Sequence, residues 1–195
     1  MLFRSFDFRH RLTSSFLLEL PFGKGRRVAI DNPAVNALLG GWQLGGILTF
    51  QSGFPFTAFC GPGNIQNGAG GWCAPDAIAG VKGNDGPKTV AQYFNTAAFV
   101  DRLGQNPAAI TDFRFGTAGR NTLIGPGITS LDASVSKVFR WKERQQLDLR
   151  GEFFNLPNHP LFAQPGSTLR TATYGVISGT RIDSRQIQVA LRYSF

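Results

Sequence analysis

Apolar and polar residues alternate with period two in five stretches of the chain, the spacing that sends successive side chains to opposite faces of a strand. In the first, Leu12, Ser14, Phe16, Leu18 and Leu20 oppose Arg11, Thr13, Ser15, Leu17 and Glu19. In the second, Trp42, Leu44, Gly46, Leu48 and Phe50 oppose Gln43, Gly45, Ile47, Thr49 and Gln51. The third sets Leu131, Ala133, Val135, Lys137 and Phe139 against Asp132, Ser134, Ser136, Val138 and Arg140. The fourth sets Gln145, Leu147, Leu149, Gly151 and Phe153 against Gln146, Asp148, Arg150, Glu152 and Phe154. The last sets Ile187, Val189, Leu191, Tyr193 and Phe195 against Gln186, Gln188, Ala190, Arg192 and Ser194.

This pattern predicts antiparallel strands over 10–21, 42–52, 130–140, 144–155 and 184–195, all in one sheet. Each run is about as long as the ~9–11 residues that a tilted strand needs to cross a bilayer, where soluble strands are nearer ~5–6. An amphipathic soluble sheet shows the same alternation. The run length and the charges Asp148, Arg150 and Glu152 on one polar face favour a barrel wall, apolar toward lipid and polar toward a lumen. The predicted fold class is therefore all-β: an open, partial transmembrane barrel sheet of about five strands with long extracellular loops.

The connections alternate in length, as barrel turns and loops do. Only Trp141, Lys142 and Glu143 separate strands three and four, whereas residues 53–129 and 156–183 form long connections. With Phe195 on the periplasmic side, the 141–143 turn is periplasmic and both long loops are extracellular. Residues 22–41 then make a periplasmic connection longer than usual. Trp42, Phe139, Trp141, Tyr193 and Phe195 fall at one rim, and Phe50, Phe54, Phe56 and Phe153 near the other, as interfacial aromatic belts would. Lys137 breaks the apolar face but stands near a strand end, where it can snorkel. A hairpin turning about Trp141–Glu143 places Asp132 diagonally near Arg150.

Composition agrees with a turn-rich β protein. Only 16% of the 195 residues are charged, with 24 Gly and 18 Phe, against an average charged share near ~25%. The net charge of +8 is scattered, its tightest cluster being Lys24, Arg26 and Arg27 in a Gly-rich turn, which argues against a nucleic-acid stripe. MLFRSFDFRHRL has neither the apolar run nor the small-residue cleavage site of a signal peptide. No apolar run reaches the ~20 residues of a spanning helix; Ala37 to Phe50 is the nearest, and it is short and Gly-interrupted.

Cys60 and Cys73 lie in a Gly/Pro-rich loop without CxxC spacing or a nearby His. A local disulfide, implying an oxidising compartment, is favoured over two unpaired loop thiols. The remaining chemistry is sparse. His159 sits in the Pro-flanked NLPNHP, where a turn contact is the expected role; His10 is the other histidine. No Ser stands in GxSxG. Asp76, Asn84 and Asp85 offer oxygens without EF-hand spacing, and Gly61, Gly63 and Gly68 fit no phosphate loop. Neither a catalytic residue, a metal site nor a cofactor is expected. A soluble carbohydrate-binding or adhesive β-domain, with Trp72 and Phe rings as stacking platforms, is the alternative function class.

The ending RQIQVALRYSF, with Val189, Leu191, Tyr193 and Phe195 on one face, resembles the terminal strand of outer-membrane barrels, the strand that the barrel-assembly machinery reads. RHRLTSSFLLELPFGKGRR, NALLGGWQLGGILTFQSGFPFT, YFNTAAF, GTAGRNTLIGPG, LDASVSKVFRW and RGEFFNLPNHPLF precede it in order. Together they resemble the Oar-like TonB-dependent outer-membrane transporters over most of residues 9–195. The resemblance implies an outer-membrane barrel of about 22 strands plugged by an N-terminal domain. It implies as partners outer-membrane lipid, the rest of the barrel and its plug, and the barrel-assembly machinery. TonB would be reached only through N-terminal segments beyond this sequence. On that footing residues 1–195 are expected to be a C-terminal fragment, without plug, that does not transport alone.

Overall fold

The computed structural model describes residues 8–61, 73–101, 115–141 and 145–195. Their order is β1 (Arg11–Glu19), α1 (Pro33–Leu39), β2 (Trp42–Gln51), β3 (Pro55–Phe56), β4 (Asp76–Ala77), β5 (Phe99–Val100), β6 (Leu123–Ile124), β7 (Ile128–Trp141), β8 (Gln145–Phe154) and β9 (Gln186–Ser194). The chain divides into two units.

One unit spans residues 11–51, 129–160 and 183–195 and is the predicted sheet. Its strands run in the order β1-β2-β7-β8-β9, and the β1–β2, β7–β8 and β8–β9 ladders are antiparallel. Among the described residues β1 and β9 each have one strand neighbour, so the sheet is open. The ladders pair like faces: Leu12 with Phe50, Leu18 with Leu44, Phe139 with Leu147, Leu149 with Leu191, and Phe153 with Ile187. On the other face Asp148 stands between Val138 and Arg192, and Glu152 between Ser134 and Gln188. The alternation read from the sequence is thus the two faces of the sheet.

The β7–β8 register corrects one expectation. Trp141 pairs with Gln145, so Arg150 faces Ser136 and Glu152 faces Ser134. This is a slip of two residues from a hairpin turning at 141–143. A two-residue slip keeps every side chain on its face, but it carries Arg150 away from Asp132. Arg150 instead pairs with Glu152 on its own strand at 2.7 Å. Asp132 Oδ1 accepts from the Asn155 amide at 2.8 Å.

The β1–β2 connection contains α1, a helix the alternation did not predict. Asn32 caps it, accepting at Oδ1 from the amides of Ala34 at 3.0 Å and Val35 at 3.3 Å, and Pro33 opens it, the preferred N-terminal pair of residue types. Gly40 ends it where a Cβ would lie 2.8 Å from the Asn36 carbonyl oxygen.

The second unit, residues 1–10, 52–128 and 161–182, gathers both long connections. Its core is Phe56, Ala58, Phe94, Leu123 and Leu169, flanked by Tyr93, Phe99 and Tyr174. Short pairings of β3 with β6 and β4 with β5 tie its segments together. Folding two loops on one core supplies the apolar burial that neither has alone.

Candidate functional site

The apolar face of the sheet is its candidate working surface. Val189 is 75% exposed and Leu191 66%, and Ile187, Leu12, Phe16 and Leu18 are also exposed. Exposed apolar side chains gathered on one face of a sheet mark a surface built for lipid or a partner. At one end, Trp141 stacks on Tyr193 with ring centroids 6.0 Å apart, and Tyr193 on Phe195 at 5.8 Å. Three of the four residues of the predicted terminal-strand signal, Val189, Leu191 and Tyr193, are in β9 on this face, and Phe195 follows its last residue.

Lys137 is on the same face, opposite Leu149, yet only 4% exposed. Its ammonium donates to the Leu38 carbonyl at 3.1 Å and to that of Gly40. It also lies 5.4 Å from the Trp42 ring centroid and 4.8 Å from that of Phe139. The carbonyls at the end of a helix lack intrahelical donors and carry negative potential. A lysine that lipid would reject is therefore held by α1 and two rings.

The opposite end of the strands is closed by FFNLPNHP. Asn155, buried, with φ 51°, donates from Nδ2 to the carbonyls of His159 at 3.0 Å and Asp183 at 3.4 Å, and accepts from the His159 amide at 3.1 Å. Asn158 Oδ1 accepts from the Arg185 amide at 3.0 Å. The side chain of Asn155 thus joins the end of β8 to the approach to β9. His159 enters this network through its backbone.

In the loop unit Cys60 and Cys73 form a disulfide with a Cα–Cα distance of 5.4 Å. Beside it, buried Asp101 accepts from the Gly61 amide at 2.7 Å and pairs with Arg170 at 3.2 Å. Two aromatics expected at a membrane rim are in this unit instead. Phe56 packs in the core, 5.7 Å from Phe94, and Phe54 pairs with Phe8 at 5.5 Å. Strand alternation stops before Pro55, so period-two reasoning could not place them. Phe50 and Phe153 remain in sheet strands. Trp72 lies outside the described residues.

Two of the candidate cation ligands, Asp76 and Asn84, bond backbone groups of the loop unit: Asp76 accepts from the Thr117 amide, and Asn84 bonds the backbone of Thr122 and Ile124. Among the described residues no group of three His, Cys, Asp or Glu is placed to hold a metal. A feature the sequence did not signal is a cleft of ≈330 Å³ lined by Arg9, His10, Ser52, Asn84, Asn121 and Thr122 among others.

A family model described as an outer membrane beta barrel domain matches residues 4–188. The chain belongs to this family. No match is found among curated proteins or among solved structures. For an outer membrane beta barrel domain the exposed apolar face has a solvent, the lipid of the outer membrane, and the aromatic stack at its end has the interfacial position such rings favour. The opposite face, with its Arg150–Glu152 pair and the facing Asp148 and Arg192, has the polarity of a barrel interior.

Proposed function

We propose that this barrel domain is the C-terminal barrel segment of a TonB-dependent receptor of the Oar-like kind, and that its five strands do not transport by themselves. The observation that carries the reading is the unequal length of the connections between the sheet's strands. The β7–β8 connection is residues 142–144, while the chain between Gln51 and Ile128, and between Phe154 and Gln186, supplies nearly all of a loop unit with its own core. Receptors that capture a ligand outside the cell need elaborate loops on one side and short turns on the other. An open sheet also leaves edge N–H and C=O groups that lipid cannot satisfy, and single-chain barrels start at ~8 strands. Further strands are therefore part of the working barrel. Transport needs no catalytic group from this segment.

The test is to recover the native polypeptide carrying this sequence from outer-membrane fractions, using an antibody to the loop unit. A polypeptide well above 21.2 kDa that co-purifies with TonB when substrate is present supports the reading. A polypeptide of that mass alone, folded and monomeric without detergent, overturns it in favour of a soluble β-domain.

A further inference from the structure

The β1–β2 connection is twice anchored to the sheet's apolar side. Lys137 and Trp42 both stand on the apolar face, and both donate to the Leu38 carbonyl, at 3.1 and 2.9 Å. The C-terminal end of α1 therefore lies on the lipid side of the rim, not across the lumen. From that position α1 buries none of its residues. Leu38 is 68% exposed, and Val35 and Leu39 are exposed beside it. The preceding turn carries Lys24, Arg26 and Arg27 against the single acid Asp31. Arg26 is paired at 2.6 Å with Glu19, the last residue of β1.

We propose that residues 22–41 form an interfacial collar seated on the phospholipid of the leaflet at this end of the barrel. Leu38, Leu39 and Val35 enter the boundary of the acyl chains, and Lys24 and Arg27 meet lipid phosphate. Two observations select this occupant. The exposed leucines continue the apolar face that already meets lipid, and the adjoining turn has the charge opposite to phosphate. A short amphipathic segment lying in the interface sinks its apolar side only ~5–10 Å, a depth that a rim helix reaches without crossing. Lys137 makes the arrangement possible, because its ammonium is spent on the end of α1 rather than exposed to lipid. The collar goes beyond the receptor reading and does not depend on TonB.

The test places a benzophenone-bearing amino acid at Leu38, at Val189 as a sheet reference, and at Ala79 in the loop unit. The native polypeptide in cells is irradiated and its adducts are read by mass spectrometry. Phospholipid adducts at positions 38 and 189 and none at 79 are expected, with the yield at 38 lowered by the double substitution Lys24→Gln, Arg27→Gln. A lipid adduct at 189 with protein, lipopolysaccharide or nothing at 38 overturns the collar. Lipid absent at both overturns the lipid placement of the face and the collar with it.

Discussion

Phe16 lies across Gly46. The two are direct partners in the β1–β2 ladder, and a Cβ added at Gly46 would come 2.6 Å from Phe16 Cε1 and 3.3 Å from the Asp132 carbonyl oxygen of β7. The ring occupies the space a side chain would take, an aromatic covering a strand glycine. This glycine thus also permits close approach of the third strand.

Gly46→Val should therefore destabilise the sheet by about 1–3 kcal/mol through overpacking. Phe16→Ala removes the obstruction, so the double variant should recover part of that loss, with a coupling of about 0.5–3 kcal/mol. Urea midpoints of the detergent-solubilised protein measure the cycle. Strictly additive losses would show that ring and glycine are independent.

Asn155 supports a second prediction. Its left-handed backbone (φ 51°) suits Asn and Gly and penalises other residues, while its side chain makes three backbone hydrogen bonds. Asn155→Gly keeps the backbone and loses the bonds, at a cost of about 1–3 kcal/mol. Asn155→Ala loses both and should cost more. Hydrogen exchange at the His159 amide should accelerate in both variants; unchanged exchange would remove Asn155 from its role at this end of β8.

The strands were legible because period two is a local signal: the predicted runs 10–21, 42–52, 130–140, 144–155 and 184–195 contain β1, β2, most of β7, β8 and β9. What escaped is non-local or short. Lys137 meets Leu38 from 99 residues away, so its alternation could mark it only as an exception. Helix α1 has 7 residues, too few for its apolar spacing to repeat over several turns, although Asn32 followed by Pro33 is a start signal. Phe54 and Phe56 follow the strand that predicts a rim position, but their partners, Phe8 and Phe94, are distant in sequence. The open sheet and its faces could be read; the folded loop unit could not, because nothing local announces that residues 53–129 and 156–183 share a core.

Within that unit the Cys60–Cys73 link closes a separation of 13 residues. In the chain-entropy account a loop of about this size contributes ~3 kcal/mol. Replacing both cysteines by Ser should release the Gly61–Asp101–Arg170 contacts and expose the unit to limited proteolysis, with the sheet strands still protected. Equal protease resistance of the double variant and the parent would show that the core holds the loops without the link.

Alkaline pH should loosen the same unit. Tyr174 lies edge-on to Phe94 with centroids 5.2 Å apart, and burial pushes its phenol well above the ordinary 10.0. Burial raises Tyr93 as well. The folded phenols keep protons that the unfolded chain gives up, so their contribution is complete below pH 10 and is lost as pH rises above it. Lys88, 4.5 Å from the Tyr93 ring centroid, acts in the opposite sense. Desolvation lowers its ammonium and Asp85 offsets this in part, so the unit gains stability as pH approaches 10.5 from below. Tyr174→Phe should flatten the fall above pH 10 and Lys88→Met the rise below it, read from thermal unfolding across pH 8–12. A fall unchanged in Tyr174→Phe would assign it to other groups.

The lipid-facing assignment makes a prediction that a protein-covered face does not share. Ile187, Val189, Leu191 and Tyr193 stand in one row along β9, paired with Phe153, Gly151, Leu149 and Leu147. In a bilayer the cost of a charge depends on depth, about 2–4 kcal/mol for Arg at the midplane and ~0–1 near the interfaces. Arg introduced one position at a time should thus be worst at Val189 or Leu191 and mildest at Tyr193, whose ring already stacks with Trp141 and Phe195 at the rim. Were the face covered by protein, cost would follow local packing instead, and removing the Trp141–Tyr193 stack would make position 193 one of the most damaging. Gln188→Arg on the other face supplies the control. It faces Glu152, so an added cation there should be tolerated in a polar lumen. Membrane-integrated yield and unfolding midpoint, measured across the five variants, decide between the two. A cost that peaks mid-strand identifies the lipid, and a cost that peaks at Tyr193 returns the apolar face to a protein partner.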